Sequence, residues 1–505
     1  MRAKTATFSS PRRGWISNTR ILDAPSDAAE VLDNCIPTAQ GARVRGGSKL
    51  HATVGDAVVS TFVHASGGVE TMFAATADAI YDVTSPADPE VAPTADVTGL
   101  ATGDWSSQHF STAGGDFITI VNGADDARQF DGASWTTPSI TGVASSDLSH
   151  VWSFKNRLWF IEENTTSAWY LSANAITGAA TEFPLRGIFN LGGSLLFGAT
   201  WSIDAGDGID DVIVFVSTLG EIAVYTGTDP SSDFALSGVY RIGKPLGKNA
   251  HFRAGGDLAI ATEDGIISVA EALKKDRAAL QASSLAFAIE DEWNAAIANR
   301  TSTNQISVTM WPSQTLLMVG TPNLVGGKNV VFVANSRTGA WSRITGWDVR
   351  CATIFNDRFF FGTADGKVVE AETGGNDLGM EYSALWVPKF QDGNARQKFG
   401  KMARFRGRAS DIYEIGLSCF GDFEVGSINV ASTTAEDLSS AWGTGLWGTM
   451  TWGGSGYKSH VSEWQFVSGN GASIAPAFKV TVNRNNEPDL ELIALDLMLE
   501  EGRVV

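Results

Sequence analysis

An all-β fold is predicted: a six- to seven-bladed β-propeller with a helical insertion, followed by a smaller C-terminal β-sandwich-like domain. Three observations predict it. The 505 residues include 54 Gly, 27 Phe and 16 Trp, which suits strands and tight turns and disfavours long helices. Short sequence elements return along the chain, as in repeat architectures. The turn centres near residues 76, 122, 164, 219 and 264 are 42 to 55 residues apart, and the next, near 365, lies about two units further on. A period in the mid-forties with four strands' worth of chain is the spacing of propeller blades.

Residues 1–50 read as an extended arm with the first strands, 51–380 as the propeller, and 381–505 as the second β domain. Within the propeller, Phe154-Lys155-Asn156-Arg157-Leu158-Trp159-Phe160 returns as Phe355-Asn356-Asp357-Arg358-Phe359-Phe360-Phe361, and Ala113-Gly114-Gly115-Asp116-Phe117 as Ala254-Gly255-Gly256-Asp257-Leu258. A threonine turn recurs as Thr76-Ala77-Asp78-Ala79, Thr262-Glu263-Asp264-Gly265 and Thr363-Ala364-Asp365-Gly366. Asp-Gly between apolar runs predicts hairpins with type I′ turns. Arg157 and Arg358, each starting a strand, are expected either to pair with an adjacent blade or to be solvated. Between the last two turn centres, Leu285, Ile289, Trp293 and Ile297 recur every fourth residue and predict a helix within 271–300. In the C-terminal domain, strands are expected at Met402 to Arg408, Ile415 to Cys419, Ser427 to Val430, Trp464 to Val467, Phe478 to Val482 and Leu490 to Leu499. Trp442-Gly443, Trp447-Gly448 and Trp452-Gly453 read as a glycine-rich packing loop.

Lys+Arg 37 against Asp+Glu 56 gives a formal net charge of -19, the wrong sign for general binding to nucleic acid or anionic membrane. Three well-separated cysteines, Cys35, Cys351 and Cys419, predict core thiols of a reducing compartment rather than a disulfide framework. The start lacks the apolar run of a secretory signal, and Leu191 to Ile203 is too short and glycine-rich to span a bilayer. A soluble chain is expected.

No zinc-type spacing joins the six histidines, and no nucleophile elbow, phosphate loop or dinucleotide fingerprint stands out. No catalytic, cofactor or metal residue is therefore assigned. The acidic loop Asp204 to Asp211 reads either as a calcium loop or as a solvated turn. Asp131-Gly132-Ala133-Ser134-Trp135 resembles the aspartate turn of sialidase blades, although a glycosidase needs two carboxylates across the scissile bond. Two basic stretches interrupt the acidic background. One holds Arg2, Lys4, Arg12, Arg13 and Arg20; the other holds Arg396, Lys398, Lys401, Arg404, Arg406 and Arg408. In a strand, Arg404, Arg406 and Arg408 share one face. With Arg12 and Arg13 they are the candidate subunit or partner docking residues. Phe399 and Phe405 interleave with the second stretch, as stacking on nucleic acid would need, but docking onto an acidic neighbour is the more economical reading.

Phe154 to Phe160 with Ser167-Ala168-Trp169-Tyr170-Leu171, Ala199 to Asp204 into Gly206-Asp207-Gly208, Val224 to Pro230, and Val239-Tyr240-Arg241-Ile242-Gly243 resemble the tail nozzle proteins of short-tailed bacteriophages, also described as packaged-DNA stabilisation or tubular tail proteins. Asn18-Thr19-Arg20, Leu32-Asp33-Asn34 and Arg43-Val44-Arg45-Gly46-Gly47 are similar to how such chains begin. The resemblance implies a structural, non-catalytic virion protein without a cofactor, assembled in the host cytoplasm into the virion tail. It implies a homohexameric ring that retains packaged DNA and passes it to the host during ejection. The implied partners are adaptor or portal-side tail proteins, tail fibres and the host surface, with double-stranded DNA in transit. An acidic bore lined by propeller-loop carboxylates would repel duplex DNA. The alternative is a propeller-based tail protein that binds or degrades host glycan.

Overall fold

Apolar and polar positions alternating between tight turns make small antiparallel sheets, and the chain stacks seven of these around one axis. The computed structural model describes residues 4–18, 23–202, 211–301, 304–392, 396–409, 411–434 and 458–504. Blades 1 to 7 begin with the strands Ser60–Ser66, Ser106–Thr112, Leu148–Phe154, Leu195–Ser202, His251–Ala254, Ser307–Trp311 and Cys351–Phe355. Each pairs with the strand that follows it, and all blades but the fifth have four strands. The repeated letters fall at equivalent places. The Phe154 and Phe355 elements and both Ala-Gly-Gly elements turn the chain from first to second strand, in blades 3, 7, 2 and 5.

The turn chemistry differs from expectation. Type I′ geometry occurs without glycine, at Lys155 (φ 46) with Asn156 (φ 55) and at Asn356 (φ 47) with Asp357 (φ 62). In the threonine turns positive φ is confined to Gly265 and Gly366, and the hydroxyl closes the turn. Thr363 Oγ1 accepts from the Lys367 N–H at 3.0 Å, and Thr76 Oγ1 from the Ala79 N–H at 3.2 Å. The long interval hides blade 6, whose corresponding turn, between Leu316–Val325 and Lys328–Asn335, carries a different sequence, Gly326-Gly327.

Blade 5 has three described strands, and short helices follow its third: Val269–Ala272, Arg277–Leu280 and Glu290–Ala298. The four-residue spacing thus marks a nine-residue helix in which Trp293 is buried, whereas Leu285 lies outside it, 49% exposed. Trp293 Nε1 donates to the Thr262 carbonyl at 3.1 Å, fixing the helix against the blade's turn.

The core lies in wedges between adjacent blades. Trp152 and Trp159 of blade 3 pack on Phe215 and Tyr225 of blade 4. At ~25 cal/mol per Å² and ~150–250 Å² per aromatic, each such ring contributes about 4–6 kcal/mol before entropy is charged. Gly198 makes room for this wedge, because a Cβ there would sit 2.3 Å from the Trp152 ring.

The arm does not stand apart. Ser48–Thr53 is the outer strand of blade 7 and closes the ring. The strands before it belong with the C-terminal residues: Lys4–Ser9 pairs with Glu491–Val504, Ala28–Asp33 with Tyr382–Pro388, and Ala42–Val44 with Glu491 and Leu492. The C-terminal domain has a sheet built on Arg396–Ala409 and Glu491–Val504, facing a second built on Tyr382–Pro388, Ile415–Gly421 and Ser473–Val482. That second sheet continues through Ala28–Asp33 and Gly14–Trp15 into blade 6. Residues 427–430 form no strand; the Ile428 carbonyl instead accepts from Lys479 Nζ at 3.0 Å.

Candidate functional site

The basic run 396–408 lies on the long strand Arg396–Ala409, where alternation sorts its side chains. Ala403, Phe405 and Ala409 point into the core, and Phe405 stacks on Phe478 at 4.5 Å. Phe405 is therefore not a platform for a base, which removes one of the two aromatics that the set-aside nucleic-acid reading needs. Lys398 is also inward, its Nζ donating to the Gln391 and Ala472 carbonyls at 2.9 and 2.7 Å. Burial holds its ammonium below the usual lysine range, against the pull of Asp392 and Glu501.

Arg404, Arg406 and Arg408 share the outer face as expected, but they are not equivalent. Arg404 Nε and Arg406 Nη2 reach the two oxygens of Asp496, directly across the sheet, at 2.7 and 3.0 Å. Thr7 Oγ1 donates to the same carboxylate at 2.7 Å. Burial pushes the Asp496 carboxyl up, but Thr7, Arg404 and Arg406 together outweigh it and hold it below the usual range. Arg408 is exposed and makes no ion pair among the described residues. The Arg404 guanidinium lies 4.8 Å over the Trp464 ring. Phe466, across from Met402, is 87% exposed. Arg12 and Arg13 are exposed in the turn after Lys4–Ser9, with no ion pair among the described residues, whereas Lys4 reaches Glu501 at 3.0 Å.

Where propeller and β domain join, the arm's charges are buried. Arg45 is fully buried, its guanidinium bidentate on Asp377 at 2.6 and 3.0 Å. Its Nε donates to Asn34 Oδ1 at 2.9 Å, and its plane lies 3.9 Å from the Tyr382 ring centroid and 4.7 Å from that of Trp347. Trp347 Nε1 and Ser48 Oγ complete the Asp377 shell at 3.0 and 3.1 Å. Arg43–Glu372 and Arg343–Asp33, each at 2.7 Å, flank it. Sequence reasoning assigned Arg45 no role. The only local signal is an arginine followed by two glycines, whose missing Cβ atoms let the chain approach Glu372 and Asn376.

The propeller axis holds a cavity of about 1730 Å³ lined by the first strand of every blade. Its ionisable lining includes Asp104 and Asp211 against Lys155, Lys248, Arg253 and Arg350, so the axis of the single propeller is of mixed charge. At one mouth Lys248, before blade 5, reaches across to blade 2: its Nζ is 2.6 Å from the Asp104 carbonyl and 3.3 Å from the Asp104 carboxylate. Blades 2 and 5 are three apart in a ring of seven, so this contact bars the mouth. The pair is separated by 144 residues and has no local sequence signal. In the wall, His150 Nε2 and Nδ1 contact the Gly198 carbonyl at 3.0 Å and Ser106 Oγ at 2.9 Å, and the His251 ring stacks on Phe197 at 4.4 Å. Burial, aided by His251, holds the His150 pKa well below 6.5, and burial pushes that of His251 down to about 4. Both imidazoles are thereby kept neutral as bridges between blades.

The remaining candidates resolve individually. Asp131 Oδ1 accepts from the N–H groups of Ala133 and Ser134 at 2.9 and 2.8 Å, so its carboxylate closes its own turn. Arg157 reaches Asp229 of the adjacent blade at 3.7 Å, while Arg358 pairs with Glu370 inside its own blade. Asp211 begins a strand, and residues 204–210 of the acidic loop lie outside the described residues, as do the three Trp-Gly pairs. Among the described residues no cluster of three or more His, Cys, Asp or Glu is arranged to hold a metal, and no helix is long and apolar enough to cross a membrane.

No family model and no curated protein matches the chain. Solved structures do. The computationally designed Ika8 protein aligns at 10% identity and TM-score 0.36, covering 64% of this chain and 99% of its own. A structure described as YCF48 bound to D1 peptide aligns at 10% identity and TM-score 0.37, covering 65% and 96%. YCF48 from Cyanidioschyzon merolae aligns at 8% identity and TM-score 0.40, covering 65% and 98%. The propeller assignment stands on the blade pairings themselves.

Proposed function

We propose that this chain is a structural subunit of a phage tail nozzle, a homo-oligomeric ring that holds packaged DNA and conducts it during ejection. The observation that carries the reading is its division of charge. The molecule is acidic as a whole, yet exposed guanidinium and aromatic groups collect on one sheet face. Duplex DNA carries about one negative charge per ~1.7 Å of axis, so an acidic wall repels it and leaves no adhesive sites. DNA would travel along a bore formed between subunits, since Lys248 and Asp104 bar the propeller's own axis. The sequence resemblance to nozzle proteins supports the same reading, with adaptor or portal proteins and fibres as neighbours.

The test is genetic and structural. The protein is expected in purified virions, localised by immunogold to the tail, and particles assembled without it are expected to lose packaged DNA while host range is unchanged. Absence from virions overturns the reading. Altered host range on exchanging the gene, with DNA retention intact, replaces it with glycan recognition.

A further inference from the structure

Most of the basic run is satisfied within the fold, which isolates what is left over. On the outer face of the sheet, Arg408 is exposed and unpaired among the described residues, Phe466 is 87% exposed, and Arg404 lies over Trp464. Met402, across from Phe466, is half-buried beside them. Arginine and aromatic side chains dominate the energetics of protein interfaces; Phe466, across from Met402, and Arg408, six residues or ~20 Å further along the same strand, put an apolar anchor and a free charge at two ends of one face. The face rests on two long paired strands, Arg396–Ala409 and Glu491–Val504, and the Asp496 contacts hold two of its guanidinia in place. Arg404 and Arg406 are thus preorganised, and fixing those two in a docked state would forfeit little rotamer entropy.

The complementary chemistry is a surface bearing carboxylates, and the chain itself supplies it. Carboxylates exceed cations 56 to 37. Asp82, Asp88 and Glu90 are exposed on blade 1 without ion pairs among the described residues, beside Val91 at 61% exposure. We propose that the Arg408–Phe466 face is the surface by which one copy of this chain docks onto an acidic surface of a second copy. The contact is heterologous, one face against a different face, and such contacts close into rings when the rotation allows. The proposal names an interface for the ring-forming reading above and rests on it.

The experiment is sedimentation velocity and light scattering on the full chain across concentration and salt. Wild type is expected to self-associate, more weakly as salt rises. Arg408→Glu and Phe466→Ser are each expected to weaken association at least about tenfold, the loss produced by ~1.4 kcal/mol, with unchanged thermal melting because both side chains are exposed. Lys49→Glu, at the exposed position of the outer strand of blade 7, changes net charge as much as Arg408→Glu and should leave association intact. A wild type that stays monomeric at every concentration overturns the proposal. So does unchanged association in both variants, or an equal loss in Lys49→Glu. Self-association that ignores Arg408→Glu and Phe466→Ser sinks this face but leaves the ring reading in place, which virion localisation tests separately.

Discussion

Arg45 shows how much one side chain can commit. A guanidinium with no exposure, gripping Asp377 between Trp347 and Tyr382, is tolerable only while every partner is present. Arg45→Met should cost about 3–5 kcal/mol, because it strands a buried carboxylate, and Arg45→Met with Asp377→Leu should recover most of that. Urea unfolding midpoints of the two variants measure this. The two wall histidines make a pH prediction with a definite sign. Both have folded pKa values below 6.5, that of His251 at about 4. Between pH 6.5 and about 4 the unfolded chain binds more protons than the folded one, so stability falls as pH falls, by up to ~1.4 kcal/mol per pH unit for each histidine. Denaturation at pH 7, 6 and 5 should show the decline, and His251→Gln should flatten it. Asp496 adds a separate loss at lower pH, as pH falls below the carboxylate range through its depressed value.

Among elements, hairpins were the most legible feature because their information is local. The recurring Phe-x-x-Arg and Ala-Gly-Gly letters mark first-to-second strand turns in four blades. What was misread was the turn type: the left-handed pairs are Lys155-Asn156 and Asn356-Asp357, and the Asp-Gly elements turn with threonine's help. A β-branched side chain at Asn356 should therefore lose about 1–2 kcal/mol, read as a lower urea midpoint for Asn356→Val. The outer strand of blade 7 was not legible, because Ser48–Thr53 lies more than 300 residues from its partner Lys367–Ala371 and its own letters record nothing of the pairing. Deleting residues 1–53 removes that strand and five others from the β domain. The truncated chain is expected to lose its near-UV tyrosine and tryptophan signal and to be digested rapidly by protease; a protease-resistant propeller from that deletion would show ring closure to be dispensable.

For the whole molecule, the decisive feature is that propeller and β domain are not beads on a string. One sheet runs from blade 6 through Gly14–Trp15 and Ala28–Asp33 to Tyr382–Pro388, and the Arg45, Arg43 and Arg343 pairs cross the same junction. Calorimetry is expected to give a single transition, splitting into two in Arg45→Met as the domains uncouple.

Composition and local periodicity were sufficient to determine strands, tight turns and a repeating blade, because hydrophobic alternation and turn chemistry act over a few residues. They also determined that the surface is acidic, since charge is additive along the chain. The number of blades, the return of the N-terminal strands to the C-terminal sheets, the barred axis, and the division of the basic run into a core staple, an Asp496 clamp and a free Arg408 were decided by tertiary structure alone. Each depends on which residues hundreds of positions apart are brought within a few ångströms, and closure of the ring, not any local preference, sets those meetings.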